Sequence, residues 1–197
     1  SKSVAVGYAS LGDSNFTTST DTFNTAVGYS SGRLITTGIE NTLVGAKAGD
    51  ALTDADFNVA LGYLSLSADT LGSQSTAIGY ATLASQNFTT ATNAYNVAVG
   101  SQAGNDITTG TFNTLVGGLA GDAITTGTRN IAVGYNALGA DTLGSKSVAV
   151  GLGALADQNF TTATDALNTA VGHGAGTAIT TGTKNTLIGG QAGDALT

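Results

Sequence analysis

The chain has 197 residues, of which 41% are hydrophobic and only 10% charged, with 29 glycines and no proline, cysteine, methionine or tryptophan. A net charge of −7 without basic clusters argues against nucleic acid or an anionic membrane as partner. The missing cysteines exclude a disulfide framework and thiolate metal sites, and no apolar run reaches the length of about 20 residues that a membrane span needs. The hydrophobic residues recur in a fixed rhythm, which predicts an ordered chain.

The first predicted element is Ser3-Val4-Ala5-Val6-Gly7. The same apolar word returns as Asn24-Thr25-Ala26-Val27-Gly28, Asn41-Thr42-Leu43-Val44-Gly45 and Asn58-Val59-Ala60-Leu61-Gly62, and it continues to the end of the chain. Its glycine falls at 7, 28, 45, 62, 79, 100, 117, 134, 151, 172 and 189. The spacings are 21, 17, 17 and 17, and this group of four repeats every 72 residues. Ser1-Lys2-Ser3, Ser73-Gln74-Ser75 and Ser145-Lys146-Ser147 open the blocks 1–72, 73–144 and 145–197, the last incomplete. The chain reads as a single repetitive segment, a stretch of a longer fibre.

A 17-residue period is too short for helical repeats or propeller blades. Gly, Thr, Val and Asn at fixed positions also oppose long helices. The word alternates as a strand does. Counting from the glycine, positions −3 and −1 share one face and position −2 shares the other with the glycine itself. A parallel β-solenoid follows, all-β, with about eleven coils of 17 or 21 residues stacked about 4.8 Å apart, so a rod about 50 Å long.

The columns of this rod carry specific expectations. Position −1 (Val6, Val27, Val44, Leu61, Ile78, Val99, Val116, Val133, Val150, Val171 and Ile188) is expected to form the interior core ladder, so Asp at Val99 and Val116 should abolish cooperative folding. Position −2 is mostly Ala, with Leu43, Leu115 and Leu187 in matching places, and its small side chains suggest close packing between chains. The residue three beyond the glycine is small as well, as at Ser10, Ala48 and Ala103. Asn at position −4 (Asn24, Asn41, Asn58, Asn96, Asn113, Asn130, Asn168, Asn185) is expected to form a stacked amide ladder that closes a turn. The long coils have Ser there instead: Ser3, Ser75 and Ser147. Their four extra residues lie at Asn15-Phe16-Thr17-Thr18, Asn87-Phe88-Thr89-Thr90 and Asn159-Phe160-Thr161-Thr162. These are the candidate partner-facing loops, with Phe16, Thr17, Phe88, Thr89, Phe160 and Thr161 at their tips.

The words Ser3-Val4-Ala5-Val6-Gly7 and Asn24-Thr25-Ala26-Val27-Gly28, each followed by a small residue three later, resemble the head repeats of YadA-like trimeric autotransporter adhesins. Similar repeats occur in phage tail-fibre-like proteins. The resemblance covers essentially all 197 residues, although the 17-residue coil is longer than that family's usual one. It implies a left-handed β-roll and a homotrimer of three chains side by side. It also implies an extracellular, cell-surface or virion location and attachment to a host surface, glycan or matrix.

Catalytic chemistry finds little support. His173 is the sole histidine and stands in a column otherwise rich in Tyr (Tyr8, Tyr29, Tyr63, Tyr80, Tyr135), with no partners suggesting a triad. Asp50, Asp106, Asp122 and Asp194 lack the alternating Gly/Asp signature of calcium-binding rolls. The glycines have no strand–loop–helix context for phosphate, and the period does not match the hexapeptide repeat of β-helix acyltransferases. No enzyme activity, cofactor or metal is expected. Thr recurs eight residues after the glycine (Thr36, Thr53, Thr70, Thr108, Thr125, Thr142, Thr180, Thr197). That ladder lacks the paired Thr-x-Thr array suited to ice and breaks at each long coil, so a hydroxyl ladder supporting a turn is the better account. The functional expectation is a structural fibre or shaft segment of an adhesin or tail fibre, acting as stiff spacer or attachment element. The alternative is a free-standing solenoid that binds glycan, matrix or ice.

Overall fold

The computed structural model describes residues 2–197, and among them there are strands and turns but no helix. Each apolar word forms one three-residue strand. The first six are β1 (Val4–Val6), β2 (Thr25–Val27), β3 (Thr42–Val44), β4 (Val59–Leu61), β6 (Thr76–Ile78) and β8 (Val97–Val99). The rest are β9 (Thr114–Val116), β10 (Ile131–Val133), β12 (Val148–Val150), β14 (Thr169–Val171) and β15 (Thr186–Ile188). These eleven strands make one sheet in chain order, every neighbouring pair parallel. The register aligns equivalent residues, as in Ala98↔Leu115 and Val99↔Val116. Two further pairs, β5 (Gly72–Ser73) with β7 (Thr92–Asn93) and β11 (Gly144–Ser145) with β13 (Thr164–Asp165), occur where a long coil lies on the coil before it. The chain is thus a parallel β-solenoid of about eleven coils.

The glycine that ends each word has a structural cause. Its φ is positive, +137° at Gly100 for example, and a Cβ there would overlap the carbonyl of Gly117 in the next coil. Only a residue without a side chain lets successive coils approach this closely.

The solenoid is lined differently from the sequence expectation. Position −2 points inward: Ala26, Leu43, Ala60, Ala98 and Leu115 are fully buried. Position −1 points outward. In that column Val6 is 56% exposed, Val116 37% and Ile188 64%; Leu61 is also exposed, and Val27, Val44, Ile78, Val99, Val133, Val150 and Val171 are half-buried. The ladder assigned to the interior therefore lies on the outer face of the sheet, and the Ala column assigned to chain–chain packing lies inside. The physical reason is width. A coil of 17 residues encloses a lumen so narrow that small side chains must occupy much of its lining.

Where larger side chains enter, glycine makes room. Leu43 sits against Gly32 and Gly49, Leu115 against Gly104 and Gly121, and Leu187 against Gly176 and Gly193. In the remaining coils the same corner holds Leu66, Leu83, Leu138 or Leu155, opposite an Ala strand. Each strand Leu thus fills the room left by the Gly of its own coil and by the Gly of the coil before it, whose strand residue is Ala, and this pairing accounts for the order Ala, Ala, Leu, Ala along the strands. A third lining column, seven residues after the glycine, contributes Ile35, Leu52, Ile107, Ile124 and Ile179.

Candidate functional site

Three features lie outside the apolar lining: one face of the rod, the loops of the long coils, and a polar interruption of the core beneath those loops.

Among the described residues nineteen large apolar side chains are exposed, and all but Leu196 belong to positions −5, −3, −1 and +1. Positions −3 and −1 lie in the strands and share the outer face of the eleven-stranded sheet, while positions −5 and +1 flank them on either side, the −5 residues in the left-handed region (φ +59° at Phe57, +60° at Phe112). Val and Ile side chains of the strands form its middle. Aromatic side chains form its two flanks. On one flank Tyr8 stacks on Tyr29 at 5.5 Å and Tyr63 on Tyr80 at 6.0 Å. On the other, Tyr95 stacks on Phe112 at 5.3 Å, and the Arg129 guanidinium lies 5.5 Å from the Phe112 ring. His173 stands exposed on the first flank, beside a shallow hollow that includes Thr177, Gln191 and Asp194. Soluble monomers rarely show an apolar strip of such length.

The loops divide into an anchor and a tip. Phe88 and Phe160 are only 6% and 5% exposed, so they do not face a partner as the sequence suggested. Each packs over the corner of the preceding coil; at Gly72 a Cβ would meet the Phe88 ring. Phe16, in the first coil, is half-buried. Thr17, Thr89 and Thr161 are exposed, so the hydroxyl-bearing tips project while the rings hold the loops down. The threonine column supports that corner from within the chain. Thr53 Oγ1 donates to Thr70 O at 3.0 Å, and Thr70 Oγ1 and Thr142 Oγ1 each donate at 2.9 Å to the carbonyl of the anchoring Phe88 or Phe160.

Beneath the loops the third lining column changes character, from Ile and Leu to the fully buried pairs Asp69–Gln86 and Asp141–Gln158. Gln86 Nε2 donates to Asp69 Oδ2 at 2.5 Å and to Ser75 Oγ at 3.1 Å. Gly72 N and Phe88 N donate to Asp69 Oδ1 at 3.0 and 3.1 Å, and Asn96 Nδ2 donates to Gln86 Oε1 at 2.8 Å. The second copy repeats this with Asp141, Gln158, Ser147, Gly144, Phe160 and Asn168. Burial pushes both carboxyls above the usual aspartate range, and the donated hydrogen bonds pull only partly back. The sequence reading missed this column. Its signal was present, because Asp69 and Gln86 recur 72 residues later as Asp141 and Gln158 in a column otherwise mostly Ile or Leu.

The Asn ladder is present as expected and meets the rung. Asn113 N donates to Asn96 Oδ1 at 2.9 Å, while Asn113 Nδ2 donates to Gly127 O at 2.9 Å. In the long coils the short Ser75 and Ser147 leave space that the Gln86 and Gln158 amides fill.

The remaining acidic residues do not converge. Burial raises the carboxyls of Asp50, where Lys47 opposes the effect, and of Asp122. Among the described residues no group of three or more His, Cys, Asp or Glu side chains is arranged to hold a metal ion.

Compared with known proteins, the chain matches no family model, no curated protein and no solved structure.

Proposed function

We propose that this chain is a shaft segment of an extracellular fibre, of adhesin or phage tail-fibre kind, in which three copies run side by side. The fibre works as a stiff spacer that presents attachment elements at a cell or virion surface, and it performs no catalysis. The observation that carries this reading is the confinement of eighteen exposed large apolar side chains to one side of the coils, the strand and the residues flanking it. A partner covering that face along its whole length must match a 21, 17, 17, 17 spacing of coils, and another copy of the same chain does so by construction. Three such faces turned toward a common axis bury the Val/Ile columns, as a helix bundle buries its seam. The resemblance to trimeric autotransporter heads supports the number three and a left-handed winding. The projecting Thr tips, one per four coils, are the elements that meet a host surface, glycan or matrix.

Light scattering coupled to size exclusion tests the assembly. The expected mass is three times the 19.2 kDa of one chain. A monomer of 19.2 kDa that stays soluble overturns the trimer. It favours instead a free-standing binding solenoid, for which the exposed stacked tyrosines Tyr8–Tyr29 and Tyr63–Tyr80 offer platforms for sugar rings.

A further inference from the structure

The two polar rungs are unusual in placing a titratable carboxyl, fully buried, in a column of the lumen that is otherwise mostly Ile or Leu. They occur just where a long coil begins to diverge from its neighbour. Asp69 Oδ1 holds two backbone amides at once, that of the corner residue Gly72 and that of the loop anchor Phe88, in successive coils. Asp141 does the same for Gly144 and Phe160. The carboxyl is therefore a tie between each loop and the rod, beside the Phe ring and the Thr70 or Thr142 hydroxyl, a role additional to the assembly proposed above and independent of it.

No charged side chain acts on either carboxyl. Burial and hydrogen bonds from Gln86, Phe88, Gly72 and Thr70 set the environment of Asp69, and Gln158, Phe160, Gly144 and Thr142 set that of Asp141. The adjoining strand pair β5–β7 carries no titratable group. The pair β11–β13 carries one, Asp165, which is exposed and paired with Lys146 at 2.5 Å. The clamp's response to pH is thus governed by burial.

We propose that the Asp69 and Asp141 rungs are pH-responsive clamps that hold the long-coil loops to the solenoid more firmly in acid than at neutral or alkaline pH. In the closed clamp the carboxyl has lost water, so its protonated form is favoured. When the loop lifts, the carboxyl meets water and returns toward its ordinary range. A proton therefore binds the closed form more tightly than the open one. The added strength is complete below the ordinary carboxyl range and is lost as the pH rises through the raised value. Protonation need not sacrifice the tie. Oδ2 accepts from the Gln86 or Gln158 amide with one lone pair and takes the proton on the other, while Oδ1 keeps both lone pairs for the two backbone amides.

Amide hydrogen exchange, corrected for intrinsic rates, measures the clamp at Phe88 N and Phe160 N. Their protection should fall as the pH rises from about 3, below the ordinary carboxyl range, to about 8, with a total change of about tenfold for each unit by which closure raises the carboxyl. The Glu40 amide, bonded to Thr22 O at 2.7 Å in a short coil, serves as the reference and should change less. Asp69→Asn with Asp141→Asn removes the titrating group and should flatten the profile at both loops. A wild-type profile that is flat or rises with pH overturns the proposal, as does a double variant that keeps the wild-type slope. If the double variant does not fold, the wild-type profile alone decides. A trimer or a monomer can give either result, so a failure here is distinguishable from failure of the fibre reading.

Discussion

Leu115 and Val116 are adjacent in the chain and similar in chemistry, yet they face opposite sides of the strand Thr114–Val116. Leu115 fills the lumen between Gly104 and Gly121, beside Leu83, Ile107 and Ile124. Leu115→Ala should cost about 2–5 kcal/mol in chemical denaturation, because the flanking glycines cannot close the resulting cavity. Val116→Ala in the unassembled chain should change stability by about 0.5 kcal/mol or less. The same contrast reverses the sequence-based expectation for Val99 and Val116. Asp at both positions should leave the solenoid folded, with an unchanged β-type circular dichroism spectrum, and abolish the three-chain mass in light scattering. Asp at the buried Ala98, one residue away, should abolish folding instead, since it places an unpaired carboxylate in a dry lumen. Loss of folding in the Val99/Val116 variant together with a folded Ala98 variant would sink this assignment of faces.

At the scale of the coil, strands of three residues are too short to stabilise themselves, and the ladders between coils take over that task. Asn113 joins three coils: its side chain accepts from Asn130 N at 3.0 Å and donates to Gly127 O, while its own amide donates to Asn96. Asn113→Ala leaves a buried amide and a buried carbonyl without partners. It should destabilise the chain by about 1–3 kcal/mol for each group orphaned, read from the shift in denaturation midpoint. The Asn ladder was legible in the sequence because a polar residue kept its column through eight coils. The long-coil loops were legible as insertions, but not the burial of Phe88 and Phe160. A Phe beside Thr-Thr looks like a loop tip until the preceding coil supplies a glycine corner to receive the ring.

For the whole rod, the 72-residue block is the natural unit because it preserves the match of Leu to Gly between coils. Deleting residues 73–144 should give a shorter rod, by about 19 Å for four coils at 4.8 Å each, that still unfolds cooperatively. Small-angle scattering measures the length. Deleting only residues 107–123 removes Leu115 with its coil and leaves Gly104 facing an Ala strand. That variant should melt well below the first despite being longer. Equal melting temperatures would show that the large–small alternation is not what orders the coils.

The repeat spacing determined by itself the parallel solenoid, its number of coils and the place of each insertion, because stacking demands that equivalent residues recur at equivalent positions and few architectures tolerate a period of 17. Two-residue alternation likewise determined that positions −3 and −1 share a face apart from −2. It left open which face looks inward, since Val and Ala are both apolar and a strand carries no sign of its own. Only the closed coil decided that, by enclosing a lumen with room for Ala, Leu beside Gly, and two buried Asp–Gln rungs, and by turning the bulkier Val and Ile columns outward.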